Sequence, residues 1–163
     1  MNAVSVSMDQ KRILCGTYEG ASVWDAKTLE KVTEVEGKNE VFAVDVSPDS
    51  TRFATGPRTG WSIWTITNGE RLVGPLGYDD EVNGIKFSPD GEHIATACSG
   101  ASIHIFDGHD GVELITIQTI SLSTSWMSYP LAWLNDGKQI FAVLKDKKIK
   151  SFDVSTGFQL AES

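Results

Sequence analysis

Little in this sequence marks it for secretion, a membrane or catalysis. Cysteine occurs only twice, as Cys15 and Cys98, too few for a disulfide framework. No Asn-x-Ser/Thr acceptor is present. No apolar run approaches the roughly 18 residues that mark a membrane-spanning helix. The N-terminus lacks the basic and apolar pattern of a signal peptide. These absences point to a reduced, cytoplasmic compartment. Positive charge is also scarce, with 14 Lys and Arg against 22 Asp and Glu, a net of −8. Residues 1–127 carry 18 acidic against 9 basic side chains, a net of −9, whereas residues 128–163 carry 4 against 5, a net of +1. Such a surface repels nucleic acid and anionic membrane. The expected partner is a protein or peptide, and a basic one is electrostatically easier. P-loop, G-x-S-x-G, H-E-x-x-H and C-x-x-C patterns are all missing, so neither catalysis nor a cofactor is expected.

What the sequence does contain is itself, several times over. "FSPDGEHIAT" (87–96) follows "VSPDSTRFAT" (46–55) by 41 residues. Four passages fall into register, starting at Ala3, Val41, Val82 and Tyr129. Each places an aromatic at the same point, Trp24, Trp64, Phe106 and Phe152, with spacings of 40, 42 and 46 residues. A period of this size marks a solenoid, a propeller or another array. Within each copy, apolar residues alternate, as at Val4 and Val6, Val44 and Val46, Ile85 and Phe87, or Ile103 and Ile105. That is strand periodicity. Turn clusters such as "SPDS", "SPDG", "NDGK", "TNGE" and "STGF" separate the runs. Each copy therefore predicts four short strands, A to D, joined as a meander. A four-stranded sheet with two apolar faces must stack on neighbours. The predicted fold is all-β: a β-propeller built from four four-stranded antiparallel blades. It forms a single domain over residues 1–163, with blades at approximately 2–40, 41–81, 82–121 and 128–163. The strand-C aromatics are expected to lie largely buried between blades.

The same residues resemble the WD-repeat family. Its blades end strand C in Trp-Asp, matched by Trp24-Asp25, Trp64-Thr65, Phe106-Asp107 and Phe152-Asp153, and its A–B turn resembles Phe87 to Gly91. The copies depart from the family in lacking Gly-His before strand A, where Gly37-Lys38 and Gly77-Tyr78 stand. They also lack the B–C turn Asp except at Asp146. The wording further resembles the C-terminal repeat arrays of fungal NACHT-type signalling proteins. The resemblance implies a non-catalytic protein–protein interaction scaffold or recognition module. It also implies docking on the face formed by the D–A and B–C loops. Mapped here, that face holds the partner-binding candidates Tyr18, Phe42, Arg58, Tyr78, Asn83, Trp126 and Tyr129. Tyr, Trp and Arg are the types enriched at interface hot spots. The alternative is a self-assembling half-propeller. Four blades are about half of the family's usual ring, the first opens directly on strand A, and the last ends on its own strand D. Two copies joined head to tail, a homodimer, would complete an eight-bladed ring.

Other clusters read as structure. Asp107, His109 and Asp110 could serve as metal ligands, but they read as a polar C–D turn, and no metal is expected. His104 reads as packed or hydrogen-bonded, His93 as exposed, and Cys15 and Cys98 as small buried hydrophobes. "KDKKIK", Lys145 to Lys150, reads as a solvated turn and strand.

Overall fold

The computed structural model describes residues 2–37, 40–58, 60–77, 81–99, 101–119, 130–143 and 148–162. Among them it holds sixteen strands and no helix. The first sheet is β1 (Ala3–Val6), β2 (Arg12–Thr17), β3 (Gly20–Asp25) and β4 (Lys31–Glu36). The second is β5 (Val41–Val46), β6 (Arg52–Pro57), β7 (Trp61–Thr65) and β8 (Arg71–Leu76). The third is β9 (Val82–Phe87), β10 (His93–Cys98), β11 (Ser102–Asp107) and β12 (Glu113–Gln118). The fourth is β13 (Leu131–Trp133), β14 (Gln139–Val143), β15 (Ile149–Asp153) and β16 (Gln159–Glu162). Every sheet is an antiparallel meander in chain order. The first strands β1, β5, β9 and β13 are neighbours in that order, so the sheets stand around a common axis as blades 1 to 4.

The cores lie between blades rather than within them. Leu14, Ala21, Val23 and Val35 of blade 1 meet Val44, Val46, Phe53 and Ile66 of blade 2. Ala54, Trp61, Ile63 and Val73 of blade 2 meet Ile85, Phe87, Ile94 and Phe106 of blade 3. Ala95, Ala97, Ile103, Ile105 and Ile117 of blade 3 meet Ile140, Ala142 and Phe152 of blade 4. Alternation along each strand produces this: odd and even residues feed two different interfaces.

The A–B turns are built alike. Ser47, fully buried, donates to Asp49 Oδ1 at 2.5 Å and accepts from the Arg52 amide at 2.9 Å. Ser7 with Asp9, and Ser88 with Asp90, repeat the arrangement. The residue before the turn closes is left-handed: Gly91 (φ 76°) and Gly137 (φ 69°), as the glycines predict, but also Gln10 (φ 59°) and Ser50 (φ 57°). At Gln10 and Ser50 a side chain occupies a region that favours glycine.

The turn carboxylates are also electrostatic groups. The Ser7 hydroxyl holds Asp9 below the ordinary carboxylate range, and the Ser88 hydroxyl does the same for Asp90. Amides of Thr28 and Lys27 lower Asp25, amides of His109 and Asp110 lower Asp107, and the Ser155 and Thr156 hydroxyls lower Asp153. A folded-state pKa below the unfolded one stabilises the fold above the unfolded value and is lost as pH falls through the folded value. Urea midpoints, followed by tryptophan fluorescence, are expected to hold between about pH 5 and 7 and to fall below about pH 4. A midpoint unchanged at pH 3 would contradict this origin.

Several expectations from the sequence need correction. Trp24 and Trp64 are half-buried, unlike Phe106 and Phe152, which are buried. Trp24 stands on the side of blade 1 that no described residue covers, and Trp64 lies at the rim of the groove between blades 1 and 2. Cys98 is buried but Cys15 only half so, because it shares the uncovered side with Val4 and Ser22. Lys150 is 6% exposed rather than solvated. It pairs with Ala142, whose side packs against blade 3, and Ile149 beside it is the exposed residue.

Candidate interaction face

Meander geometry brings the B–C turns and the starts of the A strands to one end of the blades. Here Gly37 donates to the Glu19 carbonyl (3.0 Å) and Ser99 to the Glu81 carbonyl (3.0 Å), tying each B–C turn to a D–A connection. Tyr18, in the β2–β3 turn, is 61% exposed. Arg58 follows β6, is exposed, and pairs through Nε with Glu81 at 3.2 Å. Phe42 on β5 is half-buried. Asn83 on β9 is buried, its Nδ2 donating to the Glu81 carbonyl at 3.4 Å. Tyr78, Trp126 and Tyr129 lie outside the described residues.

Phe42 and Asn83 come together. With Asn2, Ala3 and Leu131 they line an open cavity of about 290 Å³ where the inner strands begin around the axis. Tyr18 and Arg58 do not line it. A second groove, of about 280 Å³, opens between blades 1 and 2 and is lined by Glu36, Val41, Trp64 and Arg71 among others. Trp64 Nε1 donates to Thr55 Oγ1 at 2.9 Å, and the Arg71 guanidinium lies 4.5 Å from the indole centroid. Trp24 Nε1 likewise donates to Ser22 Oγ at 2.8 Å, with Lys31 Nζ 5.5 Å from its ring. Sequence reasoning missed this pair of cation–π contacts. Its signal was a Lys or Arg seven residues after the strand-C Trp, across the β3–β4 and β7–β8 pairs. Blade 3 has Phe106 in place of a Trp, and the hydroxyl of Thr96, the counterpart of Thr55, is buried with no hydrogen-bond partner among the described residues.

The remaining candidates behave as structural groups. Asp107 Oδ1 accepts from the amides of His109 (2.7 Å) and Asp110 (3.2 Å), which closes the C–D turn. His109 Nε2 lies 3.3 Å from Glu92. His104 is hydrogen-bonded, as expected: its Nε2 meets Ser102 Oγ and its Nδ1 meets Glu113, each at 2.8 Å. Burial opposes ionisation of Glu113, but hydrogen bonds from His104 and Thr116 more than offset it and hold the carboxyl low. His93 is half-buried rather than exposed and stacks on Trp133, with centroids 6.4 Å apart.

Comparison with known proteins agrees with this architecture. The family model "WD domain, G-beta repeat" matches residues 70–107, from β8 through β11. The chain is 31% identical to the small ribosomal subunit protein RACK1 of Caenorhabditis elegans and 29% identical to that of Drosophila melanogaster. Each match covers 88% of this chain and 46% of the relative, so the chain spans slightly less than half their length. Among solved structures, the computationally designed Ika8 protein superposes with a TM-score of 0.76 at 18% identity, over 94% of this chain and 46% of that one. The β-propeller domain of Cps50 (Swd1) from Myceliophteria thermophila gives 0.75 at 15% identity, over 94% and 51%. Four in-register meanders, strand-C aromatics bonded to Ser or Thr in two blades, and matches to these proteins lead to one assignment: the chain belongs to the WD-repeat family.

Proposed function

We propose that this chain is a non-catalytic protein-interaction module that docks a polypeptide on the B–C and D–A face. The observation that carries the reading is the axial cavity lined by Phe42 and Asn83, with exposed Tyr18 at the same end. An aromatic beside a concave opening is the kind of anchor point that dominates interface energetics. Glu19 and Glu36 are exposed at this end, which favours a basic partner. RACK1 is named as a protein of the small ribosomal subunit. For this chain the acidic excess of residues 1–127 favours a protein rather than an RNA contact, in a cytoplasmic setting. Tyr78, Trp126 and Tyr129 remain candidates from the sequence alone. The test is affinity capture from extract with wild type, a Tyr18→Ala/Phe42→Ala double variant, and a Val112→Ala control at the opposite end. A protein retained by wild type and control but lost by the double variant supports the face. Equal retention by all three rejects it.

A second reading, self-assembly, rests on a different observation. Val4 and Val6 are 57% and 56% exposed, whereas their counterparts Val44 and Val46, covered by blade 1, are 8% and 7% exposed. At the other end of the array, Phe141, Val143 and Ile149 occupy the positions of Ala95, Ala97 and Ile103, which blade 4 covers on blade 3. The two uncovered sides are the two halves of the interface that the chain builds three times internally. A second copy, head to tail, supplies the missing halves. Light scattering after size exclusion decides: twice the 17.8 kDa chain mass supports it, and a monomer at all concentrations excludes it.

A further inference from the structure

At the blade 2–3 interface, Arg52 leaves the start of β6 and crosses to the next blade. Its Nη1 donates to the Gly108 carbonyl at 2.6 Å and its Nη2 to the Gly91 carbonyl at 3.1 Å. The guanidinium carbon lies 5.6 Å from the centroid of the Phe87 ring. The cradle thus has three parts: an A–B turn carbonyl, a C–D turn carbonyl and the aromatic that ends strand A.

One blade further on, the corresponding positions surround a cavity and the arginine is missing. The repeat places Gly137 where Gly91 stands, Val154 where Gly108 stands, and Trp133 where Phe87 stands. Arg52 is replaced by His93, whose ring stacks on Trp133. No described residue donates to the Gly137 or Val154 carbonyl. A cavity of about 460 Å³ opens there, lined by His93, Gly137, Lys138, Asp153 and Val154, with Ile105, Leu114 and Ile115 as an apolar wall.

We propose that this cavity receives an arginine side chain of a partner polypeptide. The planar guanidinium offers paired donors to the two carbonyls and can stack on the His93 ring that lines the cavity, which an ammonium does not do. The wall of Ile105, Leu114 and Ile115 takes the methylene stem. Two carboxylates stand close: Asp153 in the lining, and Asp90, whose Oδ2 lies 3.6 Å from where a side chain on Gly137 would begin. They offset Lys138, the ammonium at the rim. The site is at the A–B and C–D end of the blades, opposite the docking face proposed above, and does not depend on it.

The test is an NMR titration of the full chain with N-acetyl-arginine amide, with N-acetyl-lysine amide as the comparison. The arginine probe is expected to shift the amides of Gly137, Lys138 and Val154 and to bind at least about tenfold more tightly than the lysine probe, a difference of about 1.4 kcal/mol. His93→Arg fills the cradle from within. It is expected to abolish the response to the probe and to raise the melting midpoint. Leu114→Trp, at an exposed position on the mouth, is expected to block the probe without disturbing the fold, and it stands in if His93→Arg does not fold. Equal binding of the two probes, shifts elsewhere on the surface, or an undiminished response in the folded variants would each overturn the proposal.

Discussion

Replacing Trp61 by Ala is expected to cost about 3–5 kcal/mol, a fall in melting midpoint on the order of 10 °C for a chain of this size. Trp61 is fully buried at the start of β7, and its ring lies 4.8 Å from that of Phe106 across the blade 2–3 interface. Its truncation leaves a cavity between two β-sheets that cannot easily close. Trp61→Phe is expected to cost less than half as much. The buried Nε1 of Trp61 has no acceptor among the described residues, so phenylalanine removes an unpaired donor while keeping most of the ring. Trp64→Ala should also cost less than Trp61→Ala, because Trp64 is half-exposed and loses one hydrogen bond and one cation–π contact. Calorimetry on the three variants ranks them. Trp64→Ala as the most damaging would show that the blade interfaces are assigned to the wrong residues.

Asp45→Ala is expected to be the second most damaging change, at about 2–4 kcal/mol. The carboxylate is 4% exposed on inner strand β5 and joins three blades. Its Oδ1 accepts from Ser5 Oγ of blade 1 at 3.1 Å and from Lys86 Nζ of blade 3 at 2.8 Å. Its Oδ2 accepts from the Phe87 amide at 2.9 Å. Removal strands a buried backbone donor and cuts the tie between neighbouring inner strands. Lys86→Met should cost less than Asp45→Ala, since the Lys86 side chain is 45% exposed and the Ser5 hydroxyl and Phe87 amide still donate to the carboxylate. Urea titrations separate the two ideas. If both variants lose the same stability, the ion pair rather than the amide contact holds the inner strands together.

How much of this was visible beforehand follows from what alternation encodes. The period, the Ser-Pro-Asp turns and the strand-C aromatics carried the number of blades and the strand order. The left-handed turn position was legible at Gly91 and Gly137 because glycine announces it, and hidden at Gln10 and Ser50 because they do not. Alternation says which residues share a side of a sheet, not what covers that side. Hence the half-buried Trp24 and Cys15, and the buried Lys150, went against expectation. Trp61 was readable in principle, since it alternates with Ile63, but the flanking Trp64 drew the family comparison instead. Contacts that cross from one blade to the next depend on side-chain reach. Arg12 and Arg52 start equivalent strands, yet Arg12 turns back to Asp25 at 2.7 Å while Arg52, opposite Thr65, crosses to blade 3. Of the proposed docking residues, sequence placed Tyr18 and Arg58 in turns correctly. It could not show that Phe42 and Asn83 share one cavity.

Because each core lies between two blades, the unit that is copied in the sequence and the unit that holds the protein together are offset by half a repeat. A copied blade brings two unlike half-cores and no whole one. Joined beside its parent, blade 3 would have to seat its own Ile94 and Phe106 against its own Ala95 and Ile105, a pairing that the present order of blades never makes. Growth of such an array by duplication is therefore limited less by whether a blade can fold than by whether its two sides fit each other. The small Ala95 and Ala97 opposite the larger Ile140 and Phe152 record one such adjustment between neighbours that are no longer identical.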